Sequence, residues 1–313
     1  MKNNFLTKIV KKQAVFLVFI FLFVVFAIFV PSFFSRGNLV NILKQTAILG
    51  IVACGLTFPV IAGNVDLSVG SIVSLCGVIA LSLSYKSMWL SIFVPIAVAI
   101  VIGLLNGLIV TKFNANSVII TLGSLAVIRG AALIYTGGKM VEGADASKLI
   151  LVGRTSFHGF PAYIFAFIIV AVILGIILNF TALGRFVYHL GSNIEASKIA
   201  GIKIDNIRIY TFIISAVCAA IAAIILSSRL YTASPLTGNG YEFDAVAAIV
   251  VGGNSLFGGK GNIYRTVIGI FFIVMVINAM ILLNLPVAFQ YIAKAVIIVV
   301  AVWLDIRASR ENI

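Results

Sequence analysis

The residues able to do chemistry in this chain are few, and most stand at the edges of long apolar runs. The stretch Gly63-Asn64-Val65-Asp66-Leu67-Ser68-Val69-Gly70-Ser71 sets one carboxylate among small and polar residues, between two apolar segments. Asp66 or Ser68 can cap the free N–H groups of a following helix, and a negative charge suits that helix end. Asn64, Asp66 and Ser68 can also line a path for a polar solute, because irregular backbone is tolerated at membrane depth only beside protein or water. The two roles are compatible. Asn106 and Thr121 lie inside apolar runs, where they can bond across closely packed helices or face the same path. Glu242 and Asp244 open another apolar run. Arg129 and Lys294 stand inside further runs, each about 10 Å from a helix end at 1.5 Å per residue. These two cations either snorkel outwards or pair with Glu242 and Asp244.

Other chemistry finds no support. His158 and His189 fall in loops on opposite sides of the expected membrane, and Cys54, Cys76 and Cys218 lie in apolar runs without paired spacing. No nucleophile–base set and no metal-ligand spacing appears, so the chain is expected to be no enzyme and to need no cofactor. Gly259-Lys260 is similar to part of a phosphate loop, but the pattern G-x-x-x-x-G-K-[ST] fails at Asn254 and Gly261. The glycines there better serve a tight turn and close helix packing.

The elements that position these residues follow from composition. Of 313 residues, 62% are apolar and 10% charged, with a mean hydropathy of +1.21. Soluble domains are about half apolar and about a quarter charged, so the excess faces lipid. A span needs roughly 20 apolar residues. Candidate spans fall at about 14–31, 38–62, 69–85, 88–111, 117–136, 160–180, 208–230, 242–258, 264–284 and 287–305. The third and eighth are short and rich in Gly and Ser, and are tilted, broken or re-entrant candidates. The expectation is an all-α polytopic membrane protein with about ten transmembrane helices, within a range of eight to ten.

Lys2, Lys8, Lys11 and Lys12 precede the first run, which is too long for a signal peptide and lacks its cleavage pattern. With segment 1–13 placed in the cytoplasm, 13 of the 22 basic residues fall inside, 7 outside and 2 within spans. That bias predicts both termini in the cytoplasm. It also accounts for the net charge of +13 without nucleic acid, since no basic domain or tail exists to track a phosphate backbone. Residues 1–313 read as one transmembrane domain, with an outer loop at 137–159 and an inner loop at 181–207. Neither loop can bury a core, so any step needing ATP or a soluble receptor must use other chains.

The inner loop has structure of its own. Ser192 and Glu195 have the spacing of a capping box. Ala196, Ile199 and Ala200 form one apolar stripe, and Gly201 sits where a helix C-cap is expected. The pattern predicts a two-turn helix near 193–200, resting on lipid or docking into a groove of a soluble partner.

Four blocks, in order along about residues 38–305, resemble the permease subunits of bacterial ABC sugar importers, the family of ribose, xylose and arabinose permeases. Gly63–Ser71 is similar to its G-x-x-D-L-S-V-G-S signature. Gly103-Leu104-Leu105-Asn106-Gly107 and Ser117–Gly123 resemble its G-x-x-N-G and F-I-V-T-L-G segments. Residues 191–202 resemble its loop G-x-N-x-x-A-A-x-x-S-G-I, from which Ser197 and Ala200 depart. Residues 238–261 resemble G-x-x-Y-E-L-D-A-I-A-A-V-V-x-G-G-x-S-L-x-G-G-x-G.

The resemblance implies a homodimer in the bacterial inner or plasma membrane, with the solute path at its centre. It implies an extracytoplasmic sugar-binding protein outside and an ABC ATPase subunit inside, docked on Gly191, Asn193, Glu195, Ala196, Ser197, Gly201 and Ile202. Asn64, Asp66, Ser68, Asn106, Thr121, Glu242 and Asp244 are the path and gating candidates. A nucleoside or branched-chain amino-acid permease remains an alternative. A self-contained secondary transporter would need coupling carboxylates near mid-membrane, and none of the nine acids falls at mid-span in this topology.

Overall fold

A computed structural model describes residues 20–21, 23–143 and 149–310. The first candidate span, 14–31, lies partly outside these, with residues 23–29 helical. Twelve further helices follow: α1 (Arg36–Ile61), α2 (Val69–Leu83), α3 (Met88–Lys112), α4 (Ser117–Thr136), α5 (Leu149–Arg154), α6 (Ala162–Phe180), α7 (Ala182–Ser192), α8 (Ile194–Ile199), α9 (Ile204–Leu230), α10 (Tyr241–Val251), α11 (Ile263–Leu282) and α12 (Val287–Arg310). Two small antiparallel ladders join β1 (Val141–Glu142) to β4 (Thr232–Ala233) and β2 (Ser156–Phe157) to β3 (Phe160–Pro161). The chain is an all-α polytopic membrane protein. Among the described residues, α1, α3, α4, α6, α9 and α11 are long and apolar enough to cross a bilayer.

Helices α1 and α9 form the centre and are mostly buried, whereas α3, α4 and α6 turn apolar side chains outwards, among them Val101, Ile134 and Ile169. Small residues make the central contacts possible. Ala216, Ala219, Ala220, Ala222 and Ala223 on α9 are all buried. A Cβ on Gly103 would lie 2.8 Å from Ile213 Cα, and one on Gly107 would lie 2.8 Å from Ile209 Cα. Glycine at this spacing therefore lets α3 press backbone against α9.

The two short spans are where the expected boundaries and the structure part. Helix α2 has 15 residues and α10 has 11, which rise about 22 Å and about 16 Å against a hydrocarbon core of about 30 Å. Neither crosses upright alone. The eighth candidate, 242–258, ends as a helix at Val251 because Gly253, Gly258 and Gly259 take positive φ and turn the chain back before α11. Helix α1 ends in the same way. Gly63 (φ 77) lets Asn64 N–H reach Pro59 O at 2.8 Å and Gly63 N–H reach Val60 O at 3.0 Å, a glycine-terminated cap.

Candidate functional site

The linker between α1 and α2 is the best-bonded polar feature of the molecule. Asp66, fully buried, accepts from Ser68 N–H (3.0 Å) and Ser68 Oγ (2.6 Å) through Oδ1, and from Ser215 Oγ on α9 (2.9 Å) through Oδ2. Asn106 Nδ2 on α3 donates to Ser68 Oγ at 3.0 Å. On α4, Thr121 Oγ1 accepts from Leu67 N–H and Ser117 Oγ accepts from Val65 N–H, both at 3.0 Å.

The carboxylate, Ser68 and the turn's own N–H groups thus tie an irregular stretch of backbone to α9, α3 and α4 in turn. This corrects the capping expectation. Ser68 occupies the N-cap position of α2, but its side chain caps no helix N–H. It serves Asp66 instead. The structure brings Asp66, Ser68, Asn106 and Thr121 together, while Asn64 only closes a local turn onto Ala62 O at 3.1 Å. Sequence reasoning missed Ser215 and Ser117. Ser215 lies 149 positions from Asp66, and a serine in an apolar helix carries no signal of its partner.

The acids of α10 lie apart from this node. Lys294 Nζ on α12 sits 2.8 Å from Asp244 Oδ1 and 2.9 Å from Oδ2, so Lys294 pairs inwards as one of the two sequence readings had it. Arg129 takes neither acid. Its Nη1 donates to Asn239 Oδ1 at 2.9 Å, and Asn239 was not among the sequence candidates. Glu242 is 2% exposed and accepts from Gly240 N–H at 3.3 Å. A Cβ on Gly70 would meet Glu242 Oε2 at 1.9 Å, so the first turns of α2 and α10 meet where only glycine fits. Asp66 and Glu242 therefore lie inside the bundle, at the tips of the two short helices.

The opposite end of α10 leads to the inner-loop candidates. A Cβ on Gly191 would lie 1.8 Å from Ile61 O and 2.4 Å from Gly259 N. Gly259 N–H donates to Ile61 O at 2.8 Å. Tyr188 Oη donates to Gly261 O at 2.7 Å, and burial pushes this phenol above its ordinary pKa, so it remains a donor. Helix α7, which the sequence reading left as loop, is thereby fixed against the end of α1 and the turn between α10 and α11.

Helix α8 projects beyond this contact. Its cap is Asn193, whose Oδ1 accepts from Ala196 N–H at 2.9 Å. The expected Ser192–Glu195 box is absent because Ser192 still belongs to α7 and bonds Tyr188 O at 2.8 Å. Gly201 (φ 73) ends the helix as expected, with Ile202 N–H on Ser197 O at 3.1 Å. Ser197 is buried, whereas Ala196, Ala200 and Ile199 are exposed, Ile199 at 88%. Glu195 and Lys198 pair at 2.9 Å on the surface, a contact worth little energy. A cleft of about 990 Å³ beside the helix is lined by Thr111, Asn193, Glu195, Lys198, Asp205 and Arg208 among others.

Residues 38–302 match the family described as "Branched-chain amino acid transport system / permease component". The chain is 38% identical over 301 residues to the ribose import permease of Haemophilus influenzae, covering 94% of this chain and 93% of that protein. It is 35% identical over 310 residues to the ribose import permease of Bacillus subtilis, with 96% and 94% covered. It is 35% identical over 291 residues to the L-arabinose transport system permease of Escherichia coli K12, with 92% and 88% covered. No solved structure matches the chain. With six apolar helices long enough to span a bilayer and near-complete overlap with these relatives, the chain belongs to this family of ABC-importer permease components and is a multi-pass protein of the inner membrane.

Proposed function

We propose that this chain is the conduit subunit of an importer for a simple sugar, a pentose or hexose. The relatives it matches are named for ribose and L-arabinose. Two copies enclose the path, an extracytoplasmic sugar-binding protein delivers the solute, and a separate ATPase subunit supplies force at α8. In this reading each copy has about ten spans and both termini lie in the cytoplasm. Glu242, Asp244 and the Asp66 node, with Asn64 in the adjoining turn, gate the path.

One observation supports this reading above the rest. Helix α8 is a short, firmly capped helix whose apolar residues Ala196, Ile199 and Ala200 all face outwards with nothing packed on them. A bare isoleucine on a rigid mount is a fitting for a groove. Its base, α7, packs Gly191 against Ile61 at the end of α1 and bonds Tyr188 to Gly261 in the turn between α10 and α11, so displacement of α8 reaches the segments that adjoin the gating acids. The test is Ile199→Asp in the assembled transporter, with solute-stimulated ATPase and uptake measured together. Both are expected to fall at least about tenfold, the equivalent of about 1.4 kcal/mol in docking, while the binding protein still docks. Glu195→Ala is expected to lower coupling in the same direction. Unchanged coupling in Ile199→Asp removes α8 from this role.

A further inference from the structure

Residues 234–240, between β4 and α10, are non-helical and run lengthwise along α2. A Cβ on Gly77 would meet Ala233 Cβ at 3.7 Å, Ser74 Oγ bonds Thr237 O, and a Cβ on Gly70 would meet Gly238 O at 2.7 Å. From Gly77 to Gly70 α2 rises about 10 Å, so this stretch descends that far beside it. Helix α2 covers one side. The other side is open, with Leu236 58% exposed, Phe243 51% exposed, and Asn239 exposed as well. Non-helical backbone is not left against hydrocarbon at membrane depth; it is covered by protein or faces water.

The side chains on that open side lead to the same conclusion. Arg129 lies about 10 Å along α4 from its end at Thr136, and it reaches sideways to Asn239 instead of outwards. Its Nε and Nη2 are buried and have no acceptor among the described residues. An unanswered guanidinium edge beside an exposed amide is costly against lipid tails. It suits water or a polar solute. Two cations, Arg129 and Lys294, stand with two carboxylates, Glu242 and Asp244, so the surroundings carry no net charge and favour a neutral solute over an anion. The exposed Asn239 amide, whose Oδ1 Arg129 holds, can donate its Nδ2 hydrogens to hydroxyls, and the exposed Phe243 ring offers a flat apolar surface to C–H groups.

We infer that Asn239, held in place by Arg129, lines the solute path at this depth and binds the hydroxyl groups of a neutral polyol as it passes. The inference rests on the conduit reading above and adds to it a residue in contact with the solute, Asn239, and a residue that positions it, Arg129.

The test uses the full chain in the assembled transporter, reconstituted in liposomes. Cys54, Cys76 and Cys218 are all buried, so an introduced cysteine reports without their removal. Asn239→Cys is compared with Ile169→Cys, on the outward face of α6 and 58% exposed, using the impermeant reagent methanethiosulfonate ethylsulfonate. Asn239→Cys is expected to react at least tenfold faster. In parallel, Arg129→Met is expected to lower D-ribose or L-arabinose uptake at least tenfold, with partial recovery in Arg129→Lys. Equal labelling of the two cysteines overturns the inference, as does wild-type uptake by Arg129→Met. If wild-type transporter moves no sugar with its ATPase and binding protein present, the conduit reading fails instead, and the labelling contrast still decides whether water reaches Asn239.

Discussion

The Asp66 node and helix α8 treat polar and apolar groups in opposite ways. At the node a carboxylate is sealed from solvent, and both its oxygens accept hydrogen bonds. At α8 an isoleucine is held out in solvent with nothing against it. A buried, satisfied polar turn fixes three helices in one arrangement, since any displacement orphans several groups at once. An exposed apolar side chain on a capped helix contributes nothing to the fold and leaves its surface free for a partner. The first region is built to hold its own geometry and the second to receive movement from outside.

Substitutions can break this contrast, beginning with the largest expected effect on stability. Asp66→Ala strands the Ser68 and Ser215 hydroxyls and the Ser68 N–H, and is expected to cost about 4 kcal/mol, read as a large fall in melting temperature in detergent. A melt like wild type shows that the node holds nothing together. Lys294→Met leaves Asp244 buried without its cation and is expected to cost about 3 kcal/mol. The swap Asp244→Lys with Lys294→Asp recovers part of that loss, and no rescue in the double variant argues against the pair.

Gly191→Ala drives a methyl into Ile61 O and is expected to cost about 2 kcal/mol. Because it loosens the mount of α8, it also reduces uptake per ATP hydrolysed, and equal coupling at reduced stability separates mount from knob. Ile199→Asp is expected to change stability by less than about 0.5 kcal/mol while lowering coupling most. A strong loss of stability there removes the contrast altogether.

Many residues of both regions, though not Ser215 or Ser117, were legible in the sequence, but their bonding was not. Gly201 as the end of α8, and Lys294 paired with Asp244, could be read from local pattern and from the scarcity of charges in apolar runs. The Ser192–Glu195 box could not hold, because α7 extends through Ser192 and passes the cap to Asn193; two adjacent polar residues leave that choice to the packing of α7 on Gly259 and Gly261. Asp66 read as a cap because a helix follows it directly. Its actual partners come from α9 and, through Ser68, from α3, and such distant pairings leave no mark in one sequence. Arg129 was singled out as a buried charge, yet its partner Asn239 sits in a stretch that reads as an ordinary loop.

Composition and the period of the apolar runs were enough to establish a helical membrane protein, because lipid leaves the backbone few alternatives to the helix. Where α2 and α10 stop, which acids lie inside, and which apolar face stays bare were decided only in three dimensions. Those outcomes depend on glycine–backbone approaches between distant segments, such as Gly70 against Glu242 and Gly191 against Ile61, and local pattern carries no term for a contact that does not yet exist.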